Sequence, residues 1–175
     1  IDDVDQPQPA ATEVLIKIEA AGINYIDTYQ RSGLYQIQLP TTLGLEASGT
    51  VEGIGSDVSR FKIGDRVAYT NVLGAYAEYS TVDQNKVVAL PDGVSFNEGA
   101  AAMLQGCTAH YLSQSTYPIK KGDSCLIHAA AGGVGLILTQ MAKNAGAYVI
   151  GTVSTPEKAE LARSAGASSA FSGVD

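Results

Sequence analysis

The sequence predicts a mixed fold, in which a mostly β domain is followed by the first half of an open, parallel α/β sheet. Two observations support this prediction. Up to residue 95, short runs of alternating apolar and polar residues are separated by glycine and proline, which is typical of strands joined by turns. Beyond that residue, strand-length apolar runs alternate with helical patterns, which is typical of parallel strands joined by right-handed helical crossovers.

The first predicted domain covers residues 1–95 and contains three segments with the two-residue period of a half-buried strand. These segments are EVLIKIEA at 13–20, SGTVEGIG at 48–55 and RVAYT at 66–70. Each is bounded by glycine or another turn-forming residue, so we expect the strands to pair through short connections.

A helix start marks the end of the β domain. Ser95 is followed three residues later by Glu98 and then by an alanine-rich run. This is the pattern of a capping box, in which the serine and glutamate side chains satisfy free backbone N–H groups of the first turn. We therefore predict a hinge helix and linker over residues 96–118.

The second predicted domain, residues 119–175, alternates between strand and helix patterns. Both predicted helices end in glycine, and the second begins with proline, which suits a first helical turn. The predicted strands are SCLIHA at 124–129 and AYVIGTV at 147–153, and the predicted helices are LILTQMAKNAG at 136–146 and PEKAELARSAG at 156–166.

Composition and charge exclude several classes of protein. The 175 residues carry a formal net charge of -7 and no cluster of lysine and arginine, so a nucleic-acid-binding surface is not expected. No run approaches the ~18 apolar residues of a membrane span, so no membrane association is expected. Cys107 and Cys125 are too few for a disulfide framework, which favours a reducing compartment, and we expect a cytoplasmic protein.

The segment HAAAGGVGL at 128–136 lies between a predicted strand and a predicted helix that begins near Val134. In a dinucleotide-binding turn three small residues allow the tight turn, the approach of the pyrophosphate and close helix packing, and Ala130, Gly132 and Gly135 hold these positions. The helix directs free N–H groups and its positive dipole end toward the pyrophosphate. The residues predicted to bind the cofactor here are Ala130, Ala131, Gly132, Gly133, Val134 and Gly135.

The end of the second predicted strand favours NADP(H) over NAD(H). NAD-binding folds usually carry Asp or Glu about 20 residues after the turn, to hold the ribose 2′-hydroxyl. This chain has Ser154 there, with Lys158 just inside the next helix. The missing carboxylate removes repulsion against a 2′-phosphate, whereas Ser154 and Lys158 supply a hydrogen bond and a positive charge.

The run GDSCLIHAAAGGVGLILTQMAK at 122–143 resembles, nearly position for position, the signature of the quinone oxidoreductase and ζ-crystallin branch of the medium-chain dehydrogenase/reductase superfamily. Four segments of the first half resemble the same branch and follow in the same order. They are GINYIDTYQRSGLY at 22–35, LGLEASGTVEGIG at 43–55, GDRVAY at 64–69 and GAYAEY at 74–79.

The resemblance implies a GroES-like catalytic domain followed by a Rossmann cofactor domain, with the active site in the cleft between them. Members of this branch transfer hydride from NADPH to quinones or related electron-poor carbonyl compounds, usually as homodimers. Two alternatives stay open: an enoyl or enone reductase of the same superfamily, and a non-catalytic NADPH-binding or structural protein.

The resemblance also predicts that no metal, and specifically no zinc, is bound. Zinc-dependent relatives carry cysteine where this chain has Asn24, and Gly-His-Glu where it has Gly44, Leu45 and Glu46. A catalytic zinc needs three protein ligands, which asparagine and leucine cannot supply. Glu46 is therefore expected to make a structural hydrogen bond.

By the same resemblance, four residues face the nicotinamide and the substrate: Asn24, Tyr29, Tyr35 and Thr108. Asn24 and Tyr29 are the candidate catalytic residues, because the Tyr29 phenol is able to donate its proton to the carboxamide or to the acceptor oxygen. Neither histidine is assigned to catalysis. We expect His128 to pack against the domain junction and His110 to be a buried, neutral side chain.

Two features depart from the family. The tail places Gly173 where relatives often have a tyrosine near the 2′-phosphate, and relatives are nearly twice as long as this chain. A doubly wound cofactor fold needs two βαβαβ halves, and only the first is predicted here. We therefore expect the 175-residue chain by itself to be inactive and to bind NADPH weakly or not at all.

Overall fold

Five antiparallel strands form the sheet of the first unit of the chain. In the computed structural model, which describes residues 3–172, the chain divides into two units after Leu104. A short helix, α1 (Tyr25–Arg31), lies between the first two strands. The strands are β1 (Glu13–Ala21), β2 (Glu46–Ile54), β3 (Arg66–Thr70), β4 (Tyr79–Asp83) and β5 (Val87–Ala89), in the sheet order β4-β1-β2-β3-β5.

The core of this unit is built from the inward residues of the sheet. Ile16 of β1 pairs with Val51 of β2, and both are fully buried together with Val67 and Tyr69 of β3. β1 departs from strict alternation because Val14, Leu15 and Ile16 are all buried. A register shift between Leu15 and Ile16 explains this departure, since a bulge turns the strand and changes which side chains face the core.

Helix α2 (Phe96–Tyr111) begins where the sequence predicts it. The Ser95 N–H donates to Glu98 Oε2 at 2.8 Å, and the Glu98 N–H donates to Ser95 Oγ at 3.2 Å, which confirms the capping box. Hydrogen bonds from the Ser95 backbone and side chain hold the pKa of Glu98 below its usual value. The division after Leu104 falls inside α2, within the segment 96–118 that the sequence predicts as the linker.

The second unit contains a parallel sheet of three strands in the order β6-β7-β8. The strands are β6 (Ser124–Ile127), β7 (Tyr148–Val153) and β8 (Ser169–Ser172). They are connected by α3 (Gly133–Asn144) and α4 (Pro156–Ser164), and a π-helical turn at Leu112–Thr116 precedes β6. The predicted mixed fold, a β unit followed by part of a Rossmann-like α/β unit, is confirmed.

Small residues allow the helices of this unit to lie close to the sheet. Ala130, Ala142, Val149 and Ala162 are fully buried in one apolar cluster. The two edge strands expose large apolar side chains, Leu126 of β6 and Phe171 of β8. Gly173, where the sequence departs from its relatives, lies outside the described residues.

The ends of α3 and α4 carry the glycine and proline residues that the sequence predicts there. Gly146, two residues beyond α3, has a left-handed φ of 86°, a conformation that glycine adopts without strain. Pro156 starts α4 after the N-cap Thr155, whose side chain accepts from the Lys158 N–H at 3.3 Å. Among residues 3–172, none of the helices has both the length and the apolar character needed to cross a bilayer.

Candidate functional site

The glycine turn connects the carboxyl end of β6 to the amino end of α3. Gly132 is the N-cap of α3 in extended conformation, and its N–H donates to Ala129 O at 2.8 Å. Ala129 itself has a left-handed φ of 49°. The first N–H groups of a helix have no partner within it, so α3 directs free donors and its positive dipole end out of this turn.

The three small residues of the turn differ in their surroundings. A Cβ at Gly135 would overlap the backbone of Ala129 and Ala130, so only glycine allows α3 to lie this close. Gly132 is exposed, and the heavy atom nearest to a Cβ there would be Ala129 O at 3.1 Å. Ala130 fits at the first position because Gly151 of β7, opposite it, has no side chain.

This arrangement fits a pyrophosphate. A helix amino end with unpaired N–H groups binds an anion, and the exposed Gly132 lets the anion approach the backbone. A cavity of about 580 Å³ borders the turn and is lined by residues 132–135 together with apolar side chains such as Leu112, Leu126 and Leu138. The second unit therefore has a turn whose free N–H groups suit an anion, next to an apolar pocket.

Ser154 and Lys158 lie together at the carboxyl end of β7. The Lys158 Nζ donates to Ser154 Oγ at 3.0 Å, and both residues are exposed. Lys158 belongs to the first turn of α4, whose N-cap Thr155 also lowers the pKa of Glu157 through a side-chain hydrogen bond. One hydroxyl and one ammonium group therefore lie side by side and accessible to a ligand.

The two histidines are both exposed. The Nδ1 of His128 lies 3.0 Å from Thr152 Oγ1, so a hydrogen bond joins the ends of β6 and β7. His110 is exposed on α2, and the prediction of a buried histidine is wrong. The neighbouring Ala109 takes the buried position of that turn, and His110, one residue further and about 100° around the helix axis, faces solvent.

In the first unit, Asn24 is held on both its backbone and its side chain. It is the N-cap of α1, and its N–H donates to Asp27 Oδ2 at 2.8 Å. Its side-chain Nδ2 donates to Glu46 Oε1 at 2.7 Å, while Glu46 Oε2 accepts the Leu104 N–H at 2.6 Å. The expected hydrogen bond of Glu46 is thus confirmed.

A buried acid next to Asn24 extends this network. Asp27 is buried, and its Oδ2 also accepts a hydrogen bond from the Tyr76 hydroxyl at 2.6 Å. Burial, the hydrogen bond to Asp27, and the charges of Asp27 and Glu46 all raise the pKa of Tyr76 above its usual value. The spacing of Asn24 and Asp27, an N-cap residue and an acid three positions later, is the sequence signal for this arrangement.

Tyr29 and Tyr35 are brought together at the end of α1. Their ring centroids lie 5.4 Å apart at an interplanar angle of 60°, and the Tyr35 N–H donates to Tyr29 O at 3.1 Å. Tyr25 extends the group, with its ring centroid 6.3 Å from that of Tyr29. All three rings are exposed and offer an aromatic surface to a planar ligand.

The remaining predicted residue, Thr108, lies half-buried on α2 in the part of the chain after Leu104. As for metals, the described part of the chain has no group of three or more His, Cys, Asp or Glu side chains close enough to share an ion. Leu45 is a buried core residue, and the Glu46 oxygens are already occupied by N–H donors.

Two family models match the chain. The alcohol dehydrogenase GroES-like domain matches residues 10–92, and the model described as zinc-binding dehydrogenase matches residues 133–174. The second description names a family of domains and does not identify a ligand of this chain.

Similar proteins cover almost all of this chain. A quinone oxidoreductase of Pseudomonas aeruginosa is 53% identical over 94% of this chain and 51% of its own length. A 2-haloacrylate reductase of a Burkholderia species is 40% identical over 94% of this chain and 52% of its own length. The crystal structure of the Escherichia coli quinone oxidoreductase complexed with NADPH has a TM-score of 0.95 at 46% identity, and covers 97% of this chain and 53% of that one. The chain spans about half the length of the curated relatives it matches.

Proposed function

Since the chain belongs to the quinone oxidoreductase branch of the medium-chain dehydrogenase/reductase superfamily, we propose that it serves the reduction of quinones by NADPH without zinc. The observation that carries this proposal is the anion-binding turn at residues 130–135 together with the adjacent Ser154 and Lys158. A dinucleotide with an additional phosphate matches both features.

The turn and the Ser154–Lys158 pair have separate roles in this proposal. The N–H groups at the start of α3 bind the pyrophosphate, and Gly132 leaves room for it. Lys158 and Ser154 bind the 2′-phosphate through a charge-assisted hydrogen bond and a hydroxyl. The E. coli relative solved with NADPH supports the choice of cofactor.

The mechanism depends on positioning the quinone and on stabilising the negative charge that its oxygen gains during reduction. Bound NADPH supplies a hydride from nicotinamide C4. The Tyr29 hydroxyl donates a hydrogen bond or its proton to the acceptor oxygen, which gains charge as the acceptor is reduced. The rings of Tyr29 and Tyr35 orient a planar quinone against the exposed aromatic surface. In the second unit, the Thr108 hydroxyl would contact the nicotinamide.

We propose a reaction without zinc because the side chains at the relevant positions are not zinc ligands. Where zinc-dependent relatives carry ligands, this chain has an amide, Asn24, and an alkyl side chain, Leu45. The Glu46 carboxylate is directed to two N–H donors. A quinone does not need a Lewis acid, because the negative charge on its reduced form is delocalised over the ring and water is able to protonate the oxygen.

One alternative has support of its own. The 40% identity to a 2-haloacrylate reductase favours reduction of an activated carbon–carbon double bond as a second candidate function. Tyr29 would then donate its proton to the substrate α-carbon.

We propose further that the active form is a homodimer in the cytoplasm. Both cysteines are free thiols, which agrees with a reducing compartment. Sedimentation velocity of the full-length protein tests the dimer, and a monomer at micromolar concentration would contradict it.

A substrate panel tests the proposed function. NADPH oxidation by the full-length protein is followed at 340 nm with a 1,4-quinone and with an enone, and NADP reduction is followed with an alcohol. We expect turnover of the quinone. Turnover of the enone alone would favour the alternative function. Absence of NADPH oxidation with both the quinone and the enone would contradict both candidate functions.

A further inference from the structure

Tyr76 lies in the loop between β3 and β4, in the segment GAYAEY at 74–79, and the proposed mechanism gives it no role. Its backbone N–H donates to Leu43 O at 2.9 Å. Gly44 lies so close that a Cβ there would overlap the Tyr76 ring, and its left-handed φ of 91° also favours glycine. The direction of the Tyr76 phenol is therefore set by the backbone of this loop and by the space at Gly44.

The Tyr76 hydroxyl donates to the one buried side chain of α1. Of the seven residues Tyr25–Arg31, all of which the structure describes, only Asp27 is buried. Its Oδ2 accepts the Tyr76 O–H at 2.6 Å and the Asn24 N–H at 2.8 Å. Its Oδ1 is buried and has no hydrogen-bond partner among residues 3–172. The Tyr76 hydroxyl is thus one of two donors to a buried carboxylate, and its removal leaves that carboxylate poorly satisfied.

Helix α1 depends on such contacts because it is short. An isolated helix below about 12 residues is marginal in water, so the seven residues of α1 need tertiary contacts to hold their place. The contacts of its buried amino end are polar: Asp27 accepts from Tyr76, and the N-cap Asn24 donates to Glu46 at 2.7 Å. Hydrogen bonds to a carboxylate are short and strong, and they define a direction as well as a distance. These bonds therefore set the orientation of α1 on the sheet.

The place of the Tyr29 phenol follows from the orientation of α1. Tyr29 is two residues after Asp27 and about 200° around the helix axis, so it faces away from the buried side of the helix. Its ring contacts those of Tyr25 and Tyr35, with centroids 6.3 and 5.4 Å away, and both of these rings are exposed too. Because these neighbours belong to the same exposed segment, a rotation of α1 displaces the phenol.

We propose that Tyr76 is a positioning residue, whose hydroxyl fixes α1 through Asp27 and thereby sets the place of the Tyr29 phenol. This inference rests on the proposed function, in which Tyr29 donates to the acceptor oxygen. A proton donor acts only within hydrogen-bond reach of the atom that it protonates, so a small displacement slows the step. Tyr76 acts through Asp27 and α1, and all of these residues belong to the first unit.

The first readout is the NMR signal of the Tyr29 ring in the full-length protein, without cofactor or quinone. The tyrosines are labelled with ¹³C at the ε carbons, and the Tyr29 signal is assigned by its loss in Tyr29→Phe. We expect this signal to shift in Tyr76→Phe, which keeps the ring and removes only the hydroxyl. Tyr79→Phe, the same change on β4 of the same unit, is the control and leaves the signal in place. An unchanged Tyr29 signal in Tyr76→Phe, or an equal shift in Tyr79→Phe, would overturn the proposal, whether or not the protein reduces quinones.

The second readout is a double-mutant cycle on quinone reduction. We expect Tyr76→Phe to lower kcat about tenfold, because the donor is displaced, while the Kd for NADPH changes less than about twofold. In the Tyr29→Phe background, where the donor is already absent, the same change lowers kcat further by less than about twofold. An equal loss of kcat in both backgrounds, or no loss in either, would overturn the proposal.

The two readouts also separate this inference from the proposed function. If the wild type does not reduce the quinone, the proposed function is wrong, and the Tyr29 signal alone then decides whether Tyr76 fixes that ring. If the wild type reduces the quinone and the Tyr29 signal is unaffected in Tyr76→Phe, the proposed function stands and the positioning role is wrong.

Discussion

Lys158 donates a hydrogen bond from Nζ to Ser154 Oγ over 3.0 Å, where β7 ends and α4 begins. The pair lies in the position that a carboxylate occupies in typical NAD-binding folds. Because α4 starts with the cap formed by Thr155 and Pro156, the backbone fixes the place of Lys158 while its exposed side chain stays available to a phosphate.

Replacement of Lys158 by glutamine is expected to reduce discrimination between the two nicotinamide cofactors. The ammonium group pairs with the 2′-phosphate and has no partner on NADH, so the Kd for NADPH rises about tenfold while that for NADH is unchanged. Fluorescence titration of the full-length protein with each cofactor measures both values. Lys120→Gln, at an exposed lysine outside this region, serves as the control. A parallel loss of NADH affinity would show that Lys158 does not contact the 2′-phosphate.

Replacement of Gly132 by aspartate is expected to weaken cofactor binding at least about tenfold without unfolding the chain. Gly132 is exposed and has a negative φ of -81°, so an L-residue is accommodated there after a small shift of the Ala129 carbonyl, 3.1 Å from the added Cβ. The aspartate carboxylate, however, repels the pyrophosphate. Gly132→Ala adds only the Cβ and is the matched control. We expect a loss of NADPH affinity of about tenfold or more for aspartate and a smaller loss for alanine. Unchanged affinity of Gly132→Asp in the same titration would refute this location of the pyrophosphate.

Replacement of Tyr29 by phenylalanine tests the phenol as a donor. The change keeps the ring that contacts Tyr35 and removes only the hydroxyl, so the KM for the quinone is expected to change little. The value of kcat is expected to fall about a hundredfold, the usual contribution of a positioned acid. Tyr111→Phe, at another exposed tyrosine, controls for general effects. An undiminished kcat in Tyr29→Phe would assign the proton donor to another group or to water.

Because of the hydrogen bond between Tyr76 and Asp27, the free energy of unfolding is expected to depend on pH in the alkaline range. The folded protein holds the Tyr76 proton more tightly than the unfolded chain does, because burial and the Asp27 carboxylate raise its pKa. The stabilising contribution is therefore complete below the pKa of a free tyrosine, about 10, and is lost as the pH rises above that value.

Urea unfolding between pH 8 and 11 measures this loss. Tyr76→Phe is expected to be less stable than the wild type at pH 8 by about 1 kcal/mol, because Asp27 loses a donor. Between pH 9.5 and 11 the variant is expected to lose less stability than the wild type. Tyr117→Phe, at an exposed tyrosine, provides the control. Identical pH dependence of Tyr76→Phe and the wild type would contradict a role for this hydrogen bond.

The elements that the sequence predicts are those whose pattern is local. β3 has the predicted limits because RVAYT alternates cleanly, and α2 and α4 begin at caps that are encoded in a few neighbouring residues. The sequence does not predict β4, β5 and β8, since their three to five residues depend on their pairing partners. It does not predict helix α1 either, because that helix has only seven residues.

The same distinction applies to the candidate site. The glycine turn lies at the start of α3, and Ser154 and Lys158 are four residues apart in the sequence. A short segment of sequence therefore defines each of them. The contact of Asn24 with Glu46 joins residues from two different elements, and strand pairing brings them together. No local pattern contains that pairing, so only the folded structure shows that the Asn24 amide is hydrogen-bonded to Glu46.

Steady-state reduction of a 1,4-quinone by the full-length protein, after exhaustive chelation of metals, is the decisive measurement for quinone reduction by NADPH without zinc. We predict NADPH oxidation at the same kcat before and after chelation, with a kcat/KM for NADPH at least about tenfold above that for NADH. Absence of NADPH oxidation with the quinone, or activity that disappears on chelation and returns with zinc, would contradict the proposed reaction.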